Sequence, residues 1–269
     1  MKNFSYKYVI SKTPYRISLG GGGTDLPFYS FKNGGDLVTA AIDQYCFVSV
    51  GIRKTDKEVL IQTTDIERKK NVNQIDHNII RECLKYFSIK DSIQISTFST
   101  IPSKTGLGSS STLTVGLVNS ISTLLGEKLS KNEIAYISWE IERNILKQSG
   151  GIQDQYISSF GSVRRIKINE SGKITIKLFN INSNSKQKLR NGLLLIYAGN
   201  HRDSTKVIKE ISDKKKYDNV KIFDEIKNIG IKSHKYLSSG NISQLGKLMD
   251  DHWEFKKKLS DSVSNNQIN

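Results

Sequence analysis

The stretch Pro102-Ser103-Lys104-Thr105-Gly106-Leu107-Gly108-Ser109-Ser110-Ser111 runs straight into Leu113, Val115, Leu117, Val118, Ile121, Leu124 and Leu125. That second run is apolar nearly all round a helical wheel, which marks a buried helix rather than a surface one. Gly126 ends it. Ahead of it, Gly106 and Gly108 let backbone come close to a ligand. Exposed amides at a helix start, together with the helix dipole, favour an anion. The hydroxyls of Ser109, Ser110 and Ser111 can donate to phosphate oxygens or coordinate a magnesium ion. The plainer alternative is a glycine-softened turn with a serine cap. No Lys-Ser or Lys-Thr follows the second glycine, so this is not a P-loop.

Upstream of this loop the pattern is mostly of strands. Alternation and short apolar runs predict strands near Tyr6–Ile10, Arg16–Leu19, Leu37–Ile42, Phe47–Ile52 and Val59–Gln62. Gln74–Phe87 has helical spacing, and Ser92–Phe98 alternates again. Downstream, Ser130 followed by Glu133 is a capping-box signal for a helix up to about Lys147. The pair Gly150-Gly151 breaks the chain before a short helix. Strands return at Val163–Ile168, Ile174–Leu178 and Leu193–Ala198. The polar stretch Asn180 to Lys188 reads as a linker and a domain boundary. Helices are expected at Ser204–Ser212, Val220–Ser238 and Ile242–Leu259, and a loop from Ser262 to Asn269. Strands first and helices later, without strict alternation, argue for an α+β fold.

Two further segments carry chemistry. Tyr15-Arg16 precedes Gly20-Gly21-Gly22-Gly23-Thr24-Asp25, and four successive glycines are costly in entropy unless the backbone must approach something closely. Asp25 could cap the next turn or hold a sugar hydroxyl; a flexible hairpin tip is the plain reading of the glycines. In Gly150-Gly151-Ile152-Gln153-Asp154-Gln155-Tyr156, Asp154 stands at a helix start, where the dipole favours a carboxylate. It could be only an N-cap. Glu142, upstream in a helix, could share a metal ion with such a carboxylate. His201-Arg202-Asp203 spells the catalytic triplet of protein kinases, but the Asn and the Asp-Phe-Gly that should follow are absent.

The net charge is +15, from 41 Lys+Arg against 26 Asp+Glu, which raises the question of nucleic acid. The densest basic runs, Arg68-Lys69-Lys70, Lys214-Lys215-Lys216 and Lys256-Lys257-Lys258, are not interleaved with aromatics as a single-strand binding surface would be. They read as solvated faces, and such a field also speeds capture of a small anion. Cys46 and Cys83 sit in apolar segments and read as buried, reduced thiols. No apolar stretch approaches the roughly 18 residues of a membrane span, and no signal peptide is read. A soluble cytoplasmic protein is the expectation.

In this order, the segments resemble the GHMP kinases, the class named for galactokinase, homoserine kinase, mevalonate kinase and phosphomevalonate kinase. Pro102 to Ser111 is similar to the class phosphate loop, Pro-x-x-x-Gly-Leu-Gly-Ser-Ser. Tyr15-Arg16 with Gly21-Gly22-Gly23-Thr24-Asp25-Leu26-Pro27 resembles the D-glycero-D-manno-heptose 7-phosphate kinase branch, as do Gly151-x-Gln153-Asp154-Gln155-Tyr156 and Asp251-His252-Trp253-x-x-Lys256. Galactokinase has Gly-Glu-His-Thr-Asp where this branch has Gly-Gly-Gly-Thr-Asp.

The resemblance implies a ribosomal protein S5 domain 2-like N-terminal domain over residues 1–185, binding ATP and sugar. Residues 186–269 would be part of a ferredoxin-like C-terminal domain. The class contains an unusual left-handed crossover. The implied activity is ATP-dependent phosphorylation of a sugar phosphate at C1. Asp154 would be the general base and Arg16 its partner. Pro102, Gly106, Leu107, Gly108, Ser109, Ser110 and Ser111 would hold the ATP phosphates. Ser110 and Glu142 would hold Mg²⁺, and Gly22, Gly23, Thr24 and Asp25 would hold the sugar. Arg202 would hold the substrate's own phosphate. ATP and the sugar phosphate are the expected partners, without nucleic acid or membrane; a homodimer is admitted. The class ends in a third, glycine-rich motif, and none is read after Gly246. The second domain is therefore expected to be cut short, with activity of this chain in doubt. The rival readings are another sugar kinase, of fucose or galactose type, and a basic RNA-binding protein of S5-like fold.

Overall fold

A computed structural model of the protein describes residues 4–103, 105–197, 199, 207–208, 210–211, 217–264 and 268. The central feature is a pair of long strands, β1 (Tyr8–Gly20) and β2 (Gly35–Ile52), joined through helix α1 (Pro27–Asn33). They run antiparallel from Tyr8 opposite Gly51 to Gly20 opposite Val38, with register shifts between Pro14 and Arg16 and between Ser18 and Gly20. The sheet continues through β3 (Val59–Gln62), β4 (Ile66–Lys69), β5 (Ile93–Ser99), β6 (Val163–Ile168) and β7 (Ile174–Leu178) in the order β4-β3-β5-β2-β6-β7. The β3–β5 pair is parallel and the others are antiparallel. The sheet is therefore mixed and the fold α+β, as expected.

Adjacent residues of a strand point to opposite faces, and β2 uses both. Leu37 packs with Ile166 and Ile168 against Ala135, Ile152 and Tyr156. Its neighbour Val38 packs with Leu19 and Ala40 against Leu189, Leu237 and Leu245. The first layer holds α2 (Asn78–Tyr86), α3 (Ser109–Leu125), α4 (Lys131–Trp139) and α5 (Gln153–Phe160). The second holds α6 (Ser183–Gly192), α7 (Tyr217–Ser239) and α8 (Ile242–Leu259). The largest core lies under α2 and α3, where Val48, Val50, Ile93 and Ile95 meet Ile80, Leu84, Leu117 and Ile121. Helix α3 is buried as its sequence predicts. It ends at Gly126 in the left-handed region, whose N–H donates back to Ser122 and Thr123. The capping box at Ser130 and Glu133 opens α4. Cys46 and Cys83 are buried and free, and burial pushes the Cys46 thiol up to about 11.

Several expectations are corrected. The four strands expected before residue 53 are two, because β1 and β2 continue through their irregular centres. The helix expected from Gln74 begins as a 3₁₀ turn, Val72–Gln74, and becomes α-helical only at Asn78. The helix expected to reach Lys147 is α-helical to Trp139 and passes into a π-turn, Glu140–Ile145. The linker expected at 180–188 is instead largely helical, inside α6, whose start is capped by the Asn182 side chain accepting from Ser185 N–H. Leu193–Ala198 is not a strand over its described part, 193–197; Leu194, Leu195, Ile196 and Tyr197 are exposed and pair with no neighbour in the sheet. Residues 201–206, with Arg202 and the His201-Arg202-Asp203 triplet, lie outside the described residues, as do Lys214-Lys215-Lys216.

Candidate active site

Helix α3 opens at Gly108, which holds φ +81° in the left-handed region that glycine takes without strain. Among the described residues no side chain caps this terminus, and no acidic residue stands in its first turn. Its first amides are thus left without intrahelical acceptors. Among the described residues, the buried Ser109 hydroxyl also has no hydrogen-bond partner. This uncapped end lies in the wall of a cleft of about 1100 Å³. The cleft's lining includes Asp76, His77 and Phe98 as well as Asp25, Phe223 and Lys256.

Two charged groups meet at the lip of the helix. Arg16 comes from β1 and Asp154 from the first turn of α5. Arg16 Nε donates to Asp154 Oδ1 at 2.6 Å and Nη2 donates to Oδ2 at 2.7 Å, a bidentate pair. Nη1 donates to the carbonyl of Gly106 at 2.8 Å, tying the pair to the loop. A Cβ at Gly108 would stand 3.1 Å from Asp154 Oδ2. The glycine is required there by the carboxylate as much as by any ligand. Burial, acting alone, would raise the Asp154 carboxyl; Arg16, with Arg143 and Lys256, overcomes it and holds the carboxyl below its ordinary value. Burial likewise opposes the charge on Arg16, and Asp154 more than offsets it.

Glu142 is the second carboxylate of the site. The π-turn carries it under the start of α3, where it is fully buried. It accepts from Ser110 Oγ at 2.6 Å, from Ser111 Oγ at 2.7 Å and from Gln155 Nε2. Arg143 approaches it at 4.0 Å and donates to the carbonyl of Gly151. Among the described residues no group of three or more His, Cys, Asp or Glu is placed to cage a metal. One carboxylate beside serine hydroxyls does suit Mg²⁺, which takes one or two carboxylates and fills its shell from phosphates and water.

The glycine-rich turn differs from the ligand-cradle reading. Gly20 and Gly21 are packed by α7: a Cβ on Gly20 would strike Ser233, and one on Gly21 would lie 2.1 Å from the Asp36 carbonyl and 3.0 Å from Gly230 Cα. Gly22 faces Ser18, and Thr24 is buried with its hydroxyl donating to the Gly21 carbonyl. Of the predicted sugar residues here, Gly23 and Asp25 line the cleft. Asp25 is largely occupied by backbone, accepting from Gly23 N–H at 3.2 Å and from Gln153 N–H at 2.9 Å. The Gln153 side-chain nitrogen, by contrast, is buried without a partner among the described residues and lines the same wall. Leu107 supports the loop through its carbonyl, which accepts from Arg16 N–H. Pro102, Gly106, Ser110 and Ser111 line the cleft. Sequence reasoning missed Arg143, Gln148, Gln153 and the bond from Gln155 to Glu142, because each depends on the π-turn and the 146–152 loop.

An uncapped helix start, a buried carboxylate beside serine hydroxyls and an Arg–Asp pair at its lip together make an arrangement that suits a phosphate. The family model for the GHMP kinases N terminal domain matches residues 78–162. Residues 78–162 thus resemble that domain, and the protein is an enzyme of the phosphotransferase class. It is similar to the D-glycero-alpha-D-manno-heptose 7-phosphate kinase of Campylobacter jejuni, at 29% identity over 97% of this chain and 81% of that protein. It is also similar to the L-fucokinase/L-fucose-1-P guanylyltransferase of Bacteroides fragilis, at 23% identity over 97% of this chain and 31% of that protein. Its fold matches a crystal structure of a D-glycero-D-manno-heptose 1-phosphate kinase from Bacteroides thetaiotaomicron, with a TM-score of 0.79 and 23% identity, over 93% of this chain and 79% of that one.

Proposed function

We propose that the protein is an ATP-dependent sugar-phosphate kinase. The reaction moves the γ-phosphoryl group to the C1 hydroxyl of D-glycero-D-manno-heptose 7-phosphate and yields the 1,7-bisphosphate and ADP. The observation that carries this reading is the bidentate Arg16–Asp154 pair at the lip of the uncapped α3 terminus. ATP phosphates would lie on the amides of Gly106 to Ser111, with Ser110 and Glu142 holding Mg²⁺. The ion would supply neutralising charge on the phosphates. Asp154 accepts the proton of the C1 hydroxyl as that oxygen bonds to phosphorus and the bond to the bridging oxygen breaks. Arg16 keeps Asp154 ionised and stabilises charge on the moving group. Asp25, Gly23 and Gln153 would orient the sugar. On this reading the chain would comprise an S5 domain 2-like unit over 1–185 and part of a ferredoxin-like unit over 186–269, acting in the cytoplasm.

The test is ADP release with heptose 7-phosphate, unphosphorylated heptose, fucose and galactose in parallel. Heptose 7-phosphate should be preferred by kcat/KM. Preference for fucose or galactose would replace the substrate while keeping the chemistry. Steep, salt-sensitive RNA binding without turnover of any sugar would overturn the kinase reading altogether.

A further inference from the structure

Glu142 is fully buried, so its carboxylate must find hydrogen-bond donors inside the protein. Its two oxygens find them unequally. Oε2 accepts from Ser111 Oγ at 2.7 Å and from Gln155 Nε2. Among the described residues, Oε1 accepts only from Ser110 Oγ, at 2.6 Å. Gln155 Nε2 also donates to Ser111 Oγ at 3.0 Å, which closes a triangle around Oε2. Ser110, Ser111 and Glu142 line the cleft, whereas Gln155 is fully buried and takes no part in the lining.

This triangle has a cost. Gln155 Oε1 is buried and has no hydrogen-bond partner among the described residues, and an unsatisfied buried acceptor is destabilising. Turning the amide over would bring that oxygen against the Glu142 carboxylate, where two acceptors repel. The glutamine therefore keeps its N–H groups on Glu142 and Ser111 although its own oxygen goes unmatched. A residue that only filled the core there would need no amide, since Met has a similar size and no polar atom to satisfy. We propose that Gln155 is a positioning residue for the ion-binding carboxylate: with Ser111 it holds Oε2, which fixes the Glu142 head group and leaves Oε1, beside Ser110, for Mg²⁺. This deepens the kinase reading and rests on its placement of the ion. Gln155 acts through Glu142 and touches neither ion nor substrate. Hydrogen bonds that orient a metal ligand in this way are typically worth about 10- to 100-fold in metal affinity.

The experiment uses Mn²⁺ as the probe. Its affinity for protein saturated with ADP is measured by electron paramagnetic resonance for wild type, Glu142→Gln, Gln155→Met and Gln155→Asn. Melting temperatures show that each variant is folded under the conditions of the titration. Gln155→Met keeps the size and removes both N–H donors, so it should weaken Mn²⁺ binding about 10-fold or more. Gln155→Asn keeps an amide that stops one carbon short of Glu142 and should lose about as much, which preserves the test if one of the two variants does not fold. ADP affinity without divalent ion should stay within about 3-fold of wild type in both. Damage to the start of α3 would instead weaken ADP with and without the ion, and parallel losses of that kind overturn the proposal. Unchanged Mn²⁺ affinity in folded Gln155→Met, with Glu142→Gln weakened, overturns the part given to Gln155 and leaves the ion site standing. Unchanged affinity in Glu142→Gln, or no binding by wild type beyond that of ADP alone, overturns the ion site and the role of Gln155 together.

Discussion

Substituting Asp154 by Asn tests the proposed base, and the structure sets what the change should do. The carboxylate accepts two hydrogen bonds from Arg16, at 2.6 and 2.7 Å, from a pair that is 15% and 24% exposed. Asn offers one oxygen and turns its NH₂ against the second guanidinium donor. One charge-assisted bond and the ion pair are lost, worth about 1.5–3 kcal/mol in a buried setting and less here because solvent reaches the pair. The melting temperature should fall by a few degrees. A helix cap alone would predict no fall, since Asn caps as well as Asp.

The catalytic effect should be larger but not extreme. General-base assistance is worth roughly 10²–10⁴-fold. Arg16, Arg143 and Lys256 hold the Asp154 carboxyl below its ordinary value, although burial opposes them. A carboxylate so stabilised is a weak base. The expected kcat loss is therefore at the low end, about 10²-fold or ~2.7 kcal/mol. Nucleotide affinity should change by less than about 3-fold. The assay is steady-state ADP release at 25 °C, with nucleotide binding and melting measured on the same preparations. A folded Asp154→Asn protein with kcat within about 3-fold of wild type removes Asp154 from proton transfer. The sign of the pH effect follows as well. The stabilisation from Asp154 is complete above its ordinary value near 3.8 and is lost only as pH falls through the lower folded value. The acid limb of kcat should accordingly lie below about pH 4.

Gly108→Ala should cost about 1–2 kcal/mol for the left-handed backbone alone, and its methyl should also press on Asp154, so melting temperature and nucleotide affinity should fall together. Gly246 sits exposed in α8 with open space around its missing Cβ, so Gly246→Ala should stabilise by about 0.5–1 kcal/mol. Gly230→Ala, whose Cβ would lie 2.0 Å from the Asp36 carbonyl, should destabilise strongly in the same melting assay. His252 is pushed down to about 3 by burial and by Lys256, against its bond to the Gly22 carbonyl. The unfolded imidazole takes a proton below about 6.5 and the folded one does not until about 3. Stability should therefore fall between those values as pH drops, by at most on the order of 4–5 kcal/mol from this group. His252→Gln should flatten that slope, and an unchanged slope would exclude His252 as its source.

What was legible in the sequence was what is encoded locally. The burial of α3 follows from apolar residues on every side, its end from Gly126, and the start of α4 from Ser130 and Glu133. The strands at 59–62, 163–168 and 174–178 announce themselves by alternation. Arg16, Asp154, Glu142 and Ser110 were singled out mainly by the family resemblance, and the structure brings Arg16 beside Asp154 and Ser110 beside Glu142. What could not be read is what depends on distant chain. Nothing near Leu193–Tyr197 tells an apolar run to pair or to remain exposed. The π-turn that carries Glu142 under α3 has no local signature. The four glycines looked like a ligand cradle because only the fold brings Gly230 and Ser233 against them.

That last point divides the site in two. The residues proposed to hold the phosphates, the 106–111 loop and Glu142, lie with Asp154 and Gln155 within residues 78–162, the segment that matches the family model. The rest of the cleft wall includes Arg16, Gly23 and Asp25 on one chain segment and Phe223 and Lys256 on another, with His252 bonded to the Gly22 carbonyl behind it. These two segments meet backbone to backbone, where Gly21 and Gly230 close on the Asp36 carbonyl. Asp36 is itself pinned by Arg165 at 2.8 and 2.6 Å. A phosphate site made of amides and one carboxylate tolerates few alternatives, so its motif identifies the chemistry. In the proposed reaction the acceptor wall is set by how a helix packs on a turn, so a small change in that packing would admit a different sugar. On the proposed function, phosphoryl transfer draws on one contiguous stretch together with Arg16 from β1, and the choice of acceptor on contacts between two stretches far apart in sequence.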